Sequence, residues 1–343
     1  MVKIGIIGCG KVAQVRHIPE GLANPNATIV GYYDYSEKRA QETASTYGGK
    51  VYKNYEDMLN DSQIDAVCVL TPNNTHAEIS IAALGSGKHV LCEKPMATTI
   101  EDCEAMVLAS KETGKSLMIG LNQRLARAHQ VAKQLIEEDS IGRIITFRTT
   151  FGHSGADNWS IDGRNSWFFN KSSAEFGVLG DLGIHKTDLI HYLTGQNVVS
   201  VIAKTSVLDK KNEQGIPIPV EDNAICVYTL SGGAIGTMTA SWTFYGEEDN
   251  STILYGTKGI MRIYQDPEHA IVIEKTNGER IHYHLEAIQT NKNQTKSGVI
   301  DEFIASIIEN RPPLISGEEV LPAMKAVFAA MKSSQLGSVV SIS

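Results

Sequence analysis

The stretch that decides the fold is Met1-Val-Lys-Ile-Gly-Ile-Ile-Gly8-Cys9-Gly10-Lys11-Val12-Ala13. Lys3 to Ile7 is a short run rich in β-branched residues and reads as a buried parallel strand. Gly8-x-Gly10-x-x-Ala13 follows as a tight turn into a helix. The first glycine permits the turn, the second lets the backbone approach a pyrophosphate, and the small third residue lets helix and strand pack closely. The helix N-terminus at Lys11, Val12 and Ala13 offers free N–H groups and a partial positive charge to phosphates. Ala27–Tyr33 reads as a second strand. It ends at Asp34, placed to hydrogen-bond both ribose hydroxyls of an adenosine half, with Tyr35 beside it. Strand, glycine turn, helix, strand and acid in this order predict a dinucleotide-binding unit.

Outward from that unit, strand and helix keep alternating. Ser36 is the expected N-cap of a helix to Tyr47, and Tyr55–Leu59 reads as a short helix. Ile64–Leu70 is an apolar strand that stops at Thr71-Pro72-Asn73-Asn74. His76–Ser86 is helical, His89–Cys92 is a strand leading into Glu93-Lys94-Pro95, and Ile100–Thr113 is helical. Ser116–Gly120 is a further strand, followed by Leu121-Asn122-Gln123-Arg124. Such alternation predicts a doubly wound parallel sheet whose ligands bind beyond the carboxyl ends of the strands, where these turns lie.

The pattern changes near Arg124. After a helix over Ala126–Glu138 come strand-like runs at Ile144–Phe151, Val198–Leu208, Ala224–Leu230, Ala234–Thr243, Thr252–Tyr255, Gly259–Tyr264, Ala270–Glu274 and Arg280–His284. Few helices intervene, which predicts a large, mostly antiparallel open sheet, with amphipathic helices over Val299–Asn310 and Glu318–Gln335. The expected fold class is therefore α/β: a Rossmann domain over 1–123 and a substrate-binding and oligomerisation domain over 124–343, whose C-terminal helices pack back on the first. Between Phe151 and Asp181 lies a long polar and aromatic segment holding His153, Trp159 and Trp167. It reads as a substrate-covering loop with an aromatic wall, or else as an interface loop or a local hydrophobic plug.

The chain has 343 residues, 42% hydrophobic and 20% charged, with net charge −8. This charge argues against nucleic-acid or anionic-membrane partners, which need basic patches. No apolar run approaches the roughly 18 residues of a membrane span, and the N-terminus lacks signal-peptide character. The five cysteines are Cys9, Cys68, Cys92, Cys103 and Cys226. They show no C-x-x-C spacing, which points to reduced thiols, a cytoplasmic setting and no zinc site.

Four clusters resemble one family as a set: Gly8-x-Gly10-x-x-Ala13, Thr71-Pro72-Asn73-x-x-His76, Glu93-Lys94-Pro95, and Gly177-Val-Leu-Gly-Asp181-Leu-Gly183-Ile-His185-x-x-Asp188-Leu189. Together they resemble the Gfo/Idh/MocA oxidoreductases, which include glucose–fructose oxidoreductase and inositol dehydrogenases. The resemblance runs the length of the chain. One departure is Phe176 in Glu175-Phe176-Gly177, where the family commonly has glycine. The resemblance implies a tightly held nicotinamide cofactor, with Thr71, Pro72, Asn73 and His76 beside it and Glu93 supporting the nicotinamide ribose.

The residues themselves agree. Lys94 precedes a proline, which biases it to extended geometry and aims its ammonium out of the strand end. There it can orient a substrate hydroxyl and stabilise developing alkoxide charge. Asp181 and His185, four apart, share a face if the segment is helical, and a histidine beside a carboxylate is a natural proton acceptor near neutral pH. The resemblance implies that His185 takes the hydroxyl proton as hydride leaves, while Asp181 holds the imidazole, binds a substrate hydroxyl, or both. Asn122 and Arg124 are placed to reach substrate, Arg124 alternatively as an interdomain salt bridge, and Trp167 either stacks on a sugar face or packs the loop. Asp188 reads as a buried helix partner and His191 as a surface or packing residue. A metal triad of Asp181, His185 and His153 is disfavoured because Lys94 would repel the cation.

Asp34 favours NAD, since a 2′-phosphate would meet its charge, although Ser36, Lys38 and Arg39 nearby tolerate NADP. The expected activity is an NAD(P)-dependent dehydrogenase acting on a secondary hydroxyl of a sugar, cyclitol or related polyol. Two alternatives stand beside it: a glycosidase that uses NAD for transient oxidation, and a non-catalytic NAD-sensing regulator. A homodimer or homotetramer is expected, because the open face of a large sheet needs covering.

Overall fold

A computed structural model describes residues 1–288 and 296–342. The first sheet has six parallel strands: β1 (Val2–Ile7), β2 (Ala27–Tyr33), β3 (Lys50–Val51), β4 (Ala66–Val69), β5 (His89–Cys92) and β6 (Leu117–Ile119), in the order β3-β2-β1-β4-β5-β6. Between them run α1 (Ile18–Ala23), α2 (Glu37–Tyr47), α3 (Tyr55–Leu59), α4 (His76–Gly85) and α5 (Ile100–Thr113). The strand order reverses between β1 and β4, so the crevice beyond their carboxyl ends is the expected ligand site of such a sheet. Ile4, Ile6, Ile7, Val67, Cys68, Val69, Val90 and Leu91 are all fully buried, as strands covered on both faces require. Three of these helices start at a side-chain cap: Ser36, Asn54 and Thr99 accept hydrogen bonds from backbone N–H groups in the first turns of α2, α3 and α5.

Past the sixth strand come α6 (Arg127–Glu137), β7 (Ile144–Gly152), the single turn α7 (Lys171–Ala174) and α8 (Ile184–Thr194). Strands β8 (Val198–Ser206), β9 (Asn223–Leu230), β10 (Ile235–Ser241), β11 (Thr252–Gly256), β12 (Gly259–Ile263), β13 (Ile271–Lys275) and β14 (Arg280–Tyr283) follow, then α9 (Val299–Ile308), α10 (Gly317–Leu336) and β15 (Val340–Ser341). They form a nine-stranded sheet, β14-β13-β12-β11-β7-β10-β9-β8-β15, antiparallel except where β7 runs parallel to β10. Burial alternates along β9: Ala224, Cys226, Tyr228 and Leu230 point inward, while Ile225 and Val227 face outward. One face of this sheet is thus a core and the other is open.

The chain divides into two compact units. The first comprises Met1–Asn122, Ser172–Glu175 and Lys296–Leu321; the second comprises Gln123–Lys171, Phe176–Thr295 and Pro322–Ser343. Helix α9 therefore belongs with the parallel sheet, where Asn24 Nδ2 donates to Asp301 at 2.7 Å and Glu20 accepts the Ser297 N–H at 2.7 Å.

The helix expected after the glycine turn is present, with π winding over Ala13–His17 before α1. The run ahead of α8 likewise winds as a π-helix over Leu179–Gly183. The segment between Phe151 and Asp181 holds short 3₁₀ turns at Ala156–Asn158, Gly163–Asn165 and Trp167–Phe169 besides α7. Trp159 and Trp167 both pack on Phe168 within it. All five cysteines are free and buried, and no helix among the described residues is long and apolar enough to cross a membrane.

Candidate active site

In the first unit the glycine turn is built for a close approach. Gly8 has φ +98°, and a Cβ there would lie 2.6 Å from the Leu70 carbonyl oxygen, so only glycine fits. A Cβ on Gly10 would meet no atom within 4 Å. The space over the turn is open, and the backbone faces it directly. Ala13 is buried against the strand. Asp34 is tied to the same turn: Oδ2 accepts the Cys9 N–H at 2.8 Å and Oδ1 accepts the Ser36 N–H at 2.8 Å, with Arg39 Nη1 at 3.5 Å. Tyr35 next to it is fully exposed. These residues fit a dinucleotide: a cradle that a side chain would fill, helix N–H groups at Lys11 and Val12, and a fixed carboxylate at the end of β2.

The neighbouring strand ends carry Thr71, Pro72, Asn73 and His76 after β4, and Glu93, Lys94 and Pro95 after β5. Asn73 and His76 are buried with their polar atoms turned into the protein. Asn73 Nδ2 donates to the Ala174 carbonyl at 2.9 Å, and the His76 ring lies between the Pro95 and Thr71 carbonyls at 2.8 and 2.9 Å. Glu93 is buried too. Burial pushes its carboxyl up, but the His17 hydrogen bond and the His17, Arg16 and Lys94 charges outweigh that and hold it well below the ordinary carboxylate range. Its Oε2 accepts the Lys94 peptide N–H at 3.1 Å. Asn122 opens a 3₁₀ turn, Asn122–Leu125, just past β6.

In the second unit Asp181 lies in the π-wound turn that leads into α8, and His185 lies in the first turn of that helix; both are buried. Glu221 caps this helical run from β9's approach, where its Oε1 accepts the Gly177 and Leu179 N–H groups at 2.9 and 3.1 Å. Burial raises the Glu221 carboxyl. Gly177 is required there, since a Cβ would lie 1.9 Å from the Glu221 carbonyl oxygen. Trp242, just past β10, donates Nε1–H to Asp181 Oδ2 at 2.9 Å. The Phe151 ring meets His185 edge-on at 5.8 Å and His153 at 5.8 Å. A carboxylate and an imidazole are thereby held on one buried helical run with their surroundings fixed, which is the equipment of a proton-transfer site.

Other expected residues have different partners. Arg124 grips Asp188 through two bonds, Nε to Oδ2 at 2.8 Å and Nη2 to Oδ1 at 2.6 Å, in a buried pair. Both lie in the second unit, so this salt bridge is not the interdomain one considered from the sequence. It orients α8 from the turn after β6. His191 accepts the Val198 N–H at 3.0 Å, and burial pushes its pKa down to about 3, as a packing residue requires. Trp167 stacks on Phe168 at 3.9 Å, and Trp159 meets the same ring at 5.2 Å. Lys210 pins this loop by donating to Ser154 O and Asp157. Among the described residues no three His, Cys, Asp or Glu side chains are arranged to hold a metal.

The sequence reading missed Trp242, Glu221, Phe151 and His17. Trp242 follows a strand whose inward residues alternate, so an indole at its end was a legible core position. Nothing local said that its N–H would meet Asp181.

Residues 2–121 match the family described as "Oxidoreductase family, NAD-binding Rossmann fold", and residues 129–262 match the "GFO/IDH/MocA C-terminal domain". The chain is 33% identical to levoglucosan dehydrogenase of Pseudarthrobacter phenanthrenivorans over 240 residues, 64% of this chain and 60% of that protein. It is 28% identical to myo-inositol 2-dehydrogenase of Thermotoga maritima over 338 residues, 97% of this chain and 96% of the relative. A solved structure of levoglucosan dehydrogenase in complex with NADH and levoglucosan superposes with TM-score 0.85 at 25% identity, covering 100% of this chain and 99% of the other.

Proposed function

This chain belongs to the Gfo/Idh/MocA oxidoreductase family, and on that premise we propose that it works as an NAD(P)-dependent dehydrogenase on a secondary hydroxyl of a sugar, cyclitol or related polyol. Relatives named for levoglucosan, inositol and glucose 6-phosphate support this substrate class. NAD, when bound, supplies the hydride acceptor.

The chain's own residues do the rest. The Gly8–Gly10 turn and the N–H groups at Lys11 and Val12 hold the pyrophosphate, Ala13 keeps the helix close, and Asp34 with Tyr35 holds the adenosine end. Thr71, Pro72, Asn73, His76 and Glu93 shape the strand ends beside the nicotinamide. Lys94 donates a hydrogen bond to the substrate hydroxyl and stabilises the alkoxide character that grows on its oxygen. His185 accepts the hydroxyl proton. Asp181, with Oδ2 occupied by Trp242, uses its remaining acceptor capacity to fix the imidazole or a neighbouring hydroxyl. Asn122 and Trp167 line the polyol's path, and Arg124 acts through Asp188. The observation that carries this reading is the Trp242-held Asp181 one helical turn before His185.

Asp34 sets a preference for NAD. The open face of the large sheet, where Ile202, Ile225, Val227 and Ile235 are 38–57% exposed, is covered in a homodimer or homotetramer. Five free thiols suit a cytoplasmic enzyme. The test supplies NAD with a panel of sugars and cyclitols and follows the absorbance of the reduced cofactor. Turnover of at least one polyol is expected. Glycoside cleavage without accumulation of reduced cofactor, or binding with no turnover, would replace this reading.

A further inference from the structure

Two buried histidines grip the turn that carries Lys94. His17 is wholly buried, and its Nε2 lies 2.7 Å from Glu93 Oε1. The other Glu93 oxygen accepts the Lys94 N–H at 3.1 Å, and Arg16 Nη1 lies 3.8 Å from Oε1. Gly120 backs the carboxylate: a Cβ there would lie 2.9 Å from Oε1, so the end of β6 leaves room for that group and no more. On the far side the His76 ring bridges the Pro95 and Thr71 carbonyls. The peptide on the N-terminal side of Lys94 is therefore fixed through Glu93, and the carbonyl of the following residue through His76.

A buried carboxylate is held only by the partners that compensate its desolvation. Among the described residues His17 Nδ1 has no hydrogen-bond partner. The imidazole is thus held at its polar end by Glu93 alone, and its one directed contact is the one that leads to Lys94. His17 sits five residues past Val12 on the helix that follows the glycine turn. It therefore links the phosphate-binding helix to the lysine turn within one unit.

We propose that His17 is a positioning residue for Lys94, acting through Glu93, with His76 bracing the same turn at Pro95. Its catalytic consequence rests on the dehydrogenase reading above; its structural half does not. Both halves are read in wild type, Lys94→Ala, His17→Leu, His17→Gln and the double variant His17→Leu/Lys94→Ala.

Amide hydrogen exchange at Lys94 reads the Glu93 hold without reference to turnover. His17→Leu accelerates it about tenfold or more, and His17→Gln, whose amide N–H can replace the imidazole donor, restores protection. On the polyol that wild type oxidises, His17→Leu loses kcat by up to ~10²-fold, as a misplaced reacting group does. Its KM and its Kd for NAD stay near wild type, His17→Gln recovers most of kcat, and the loss disappears in the Lys94→Ala background. Unchanged Lys94 exchange in His17→Leu overturns the inference, as does a kcat loss that simply adds to that of Lys94→Ala. If His17→Leu does not fold, His17→Ala takes its place in the same cycle. If wild type turns over no polyol, the function reading fails while the exchange result still decides the positioning role.

Discussion

Trp242 donates its indole N–H to Asp181 across 61 residues of sequence, at 2.9 Å and in a buried setting. The bond occupies Oδ2 and orients the whole carboxylate, because an sp² group held at one oxygen has little freedom at the other. A tryptophan N–H can only donate, so Asp181 Oδ2 is the acceptor.

Trp242→Phe keeps the ring and removes the donor. A hydrogen bond to a charged group contributes about 1.5–3 kcal/mol, so roughly a tenfold or larger fall in kcat/KM is expected, with NAD affinity unchanged. Steady-state kinetics and cofactor titration check this. Wild-type kcat/KM in the variant would show that the bond is only structural packing.

Asp34 is expected to set cofactor choice. Its carboxylate is fixed by the Cys9 and Ser36 N–H groups, with Arg39 at 3.5 Å, where a 2′-phosphate would meet a held negative charge. Asp34→Ser removes that charge and leaves Arg39. The ratio of kcat/KM for NADP to that for NAD then rises by about tenfold or more, given about 1.4 kcal/mol per decade. A wild-type preference for NADP would refute the assignment.

Lys186 ties stability to pH. Its ammonium is wholly buried, donates to Asn250 O at 2.9 Å, and has its pKa lowered by burial from an ordinary 10.5 to about 7, against the pull of Asp249 and Glu248. Above about 7 the folded protein releases a proton that the unfolded chain keeps to 10.5, so the unfolded state binds more protons and stability rises with pH. The slope approaches ~1.4 kcal/mol per pH unit between 7 and 9; above 9 the buried thiols begin to oppose it. Denaturant unfolding across that window should show the rise in wild type and its loss in Lys186→Met. Parallel curves would contradict it.

Much of this was legible in the residues, for local reasons. The strand His89–Cys92 and the helix Ile100–Thr113 lie where the alternation of strand and helix predicts them. The turn needs glycine at Gly8 for its positive φ and its close approach to Leu70, as the motif implies, while Gly10 leaves the space over the turn open. What the sequence hid is long-range pairing. His17 and Glu93 are 76 apart and Arg124 and Asp188 are 64 apart, and no local pattern names such partners before the register of the fold brings them together. The π windings at Ala13–His17 and Leu179–Gly183 were hidden because they are set by the hydrogen-bond register of the backbone, which no single residue type announces.

The central claim is that Lys94 and His185 serve one hydroxyl of a polyol oxidised with NAD. The measurement that tests it most directly is the single-turnover rate of cofactor reduction, with NAD and the best polyol saturating, in wild type, Lys94→Ala and His185→Ala. Both variants are expected to bind NAD as wild type does and to reduce it about 10²–10⁴-fold more slowly. Wild-type rates in either variant would contradict the account.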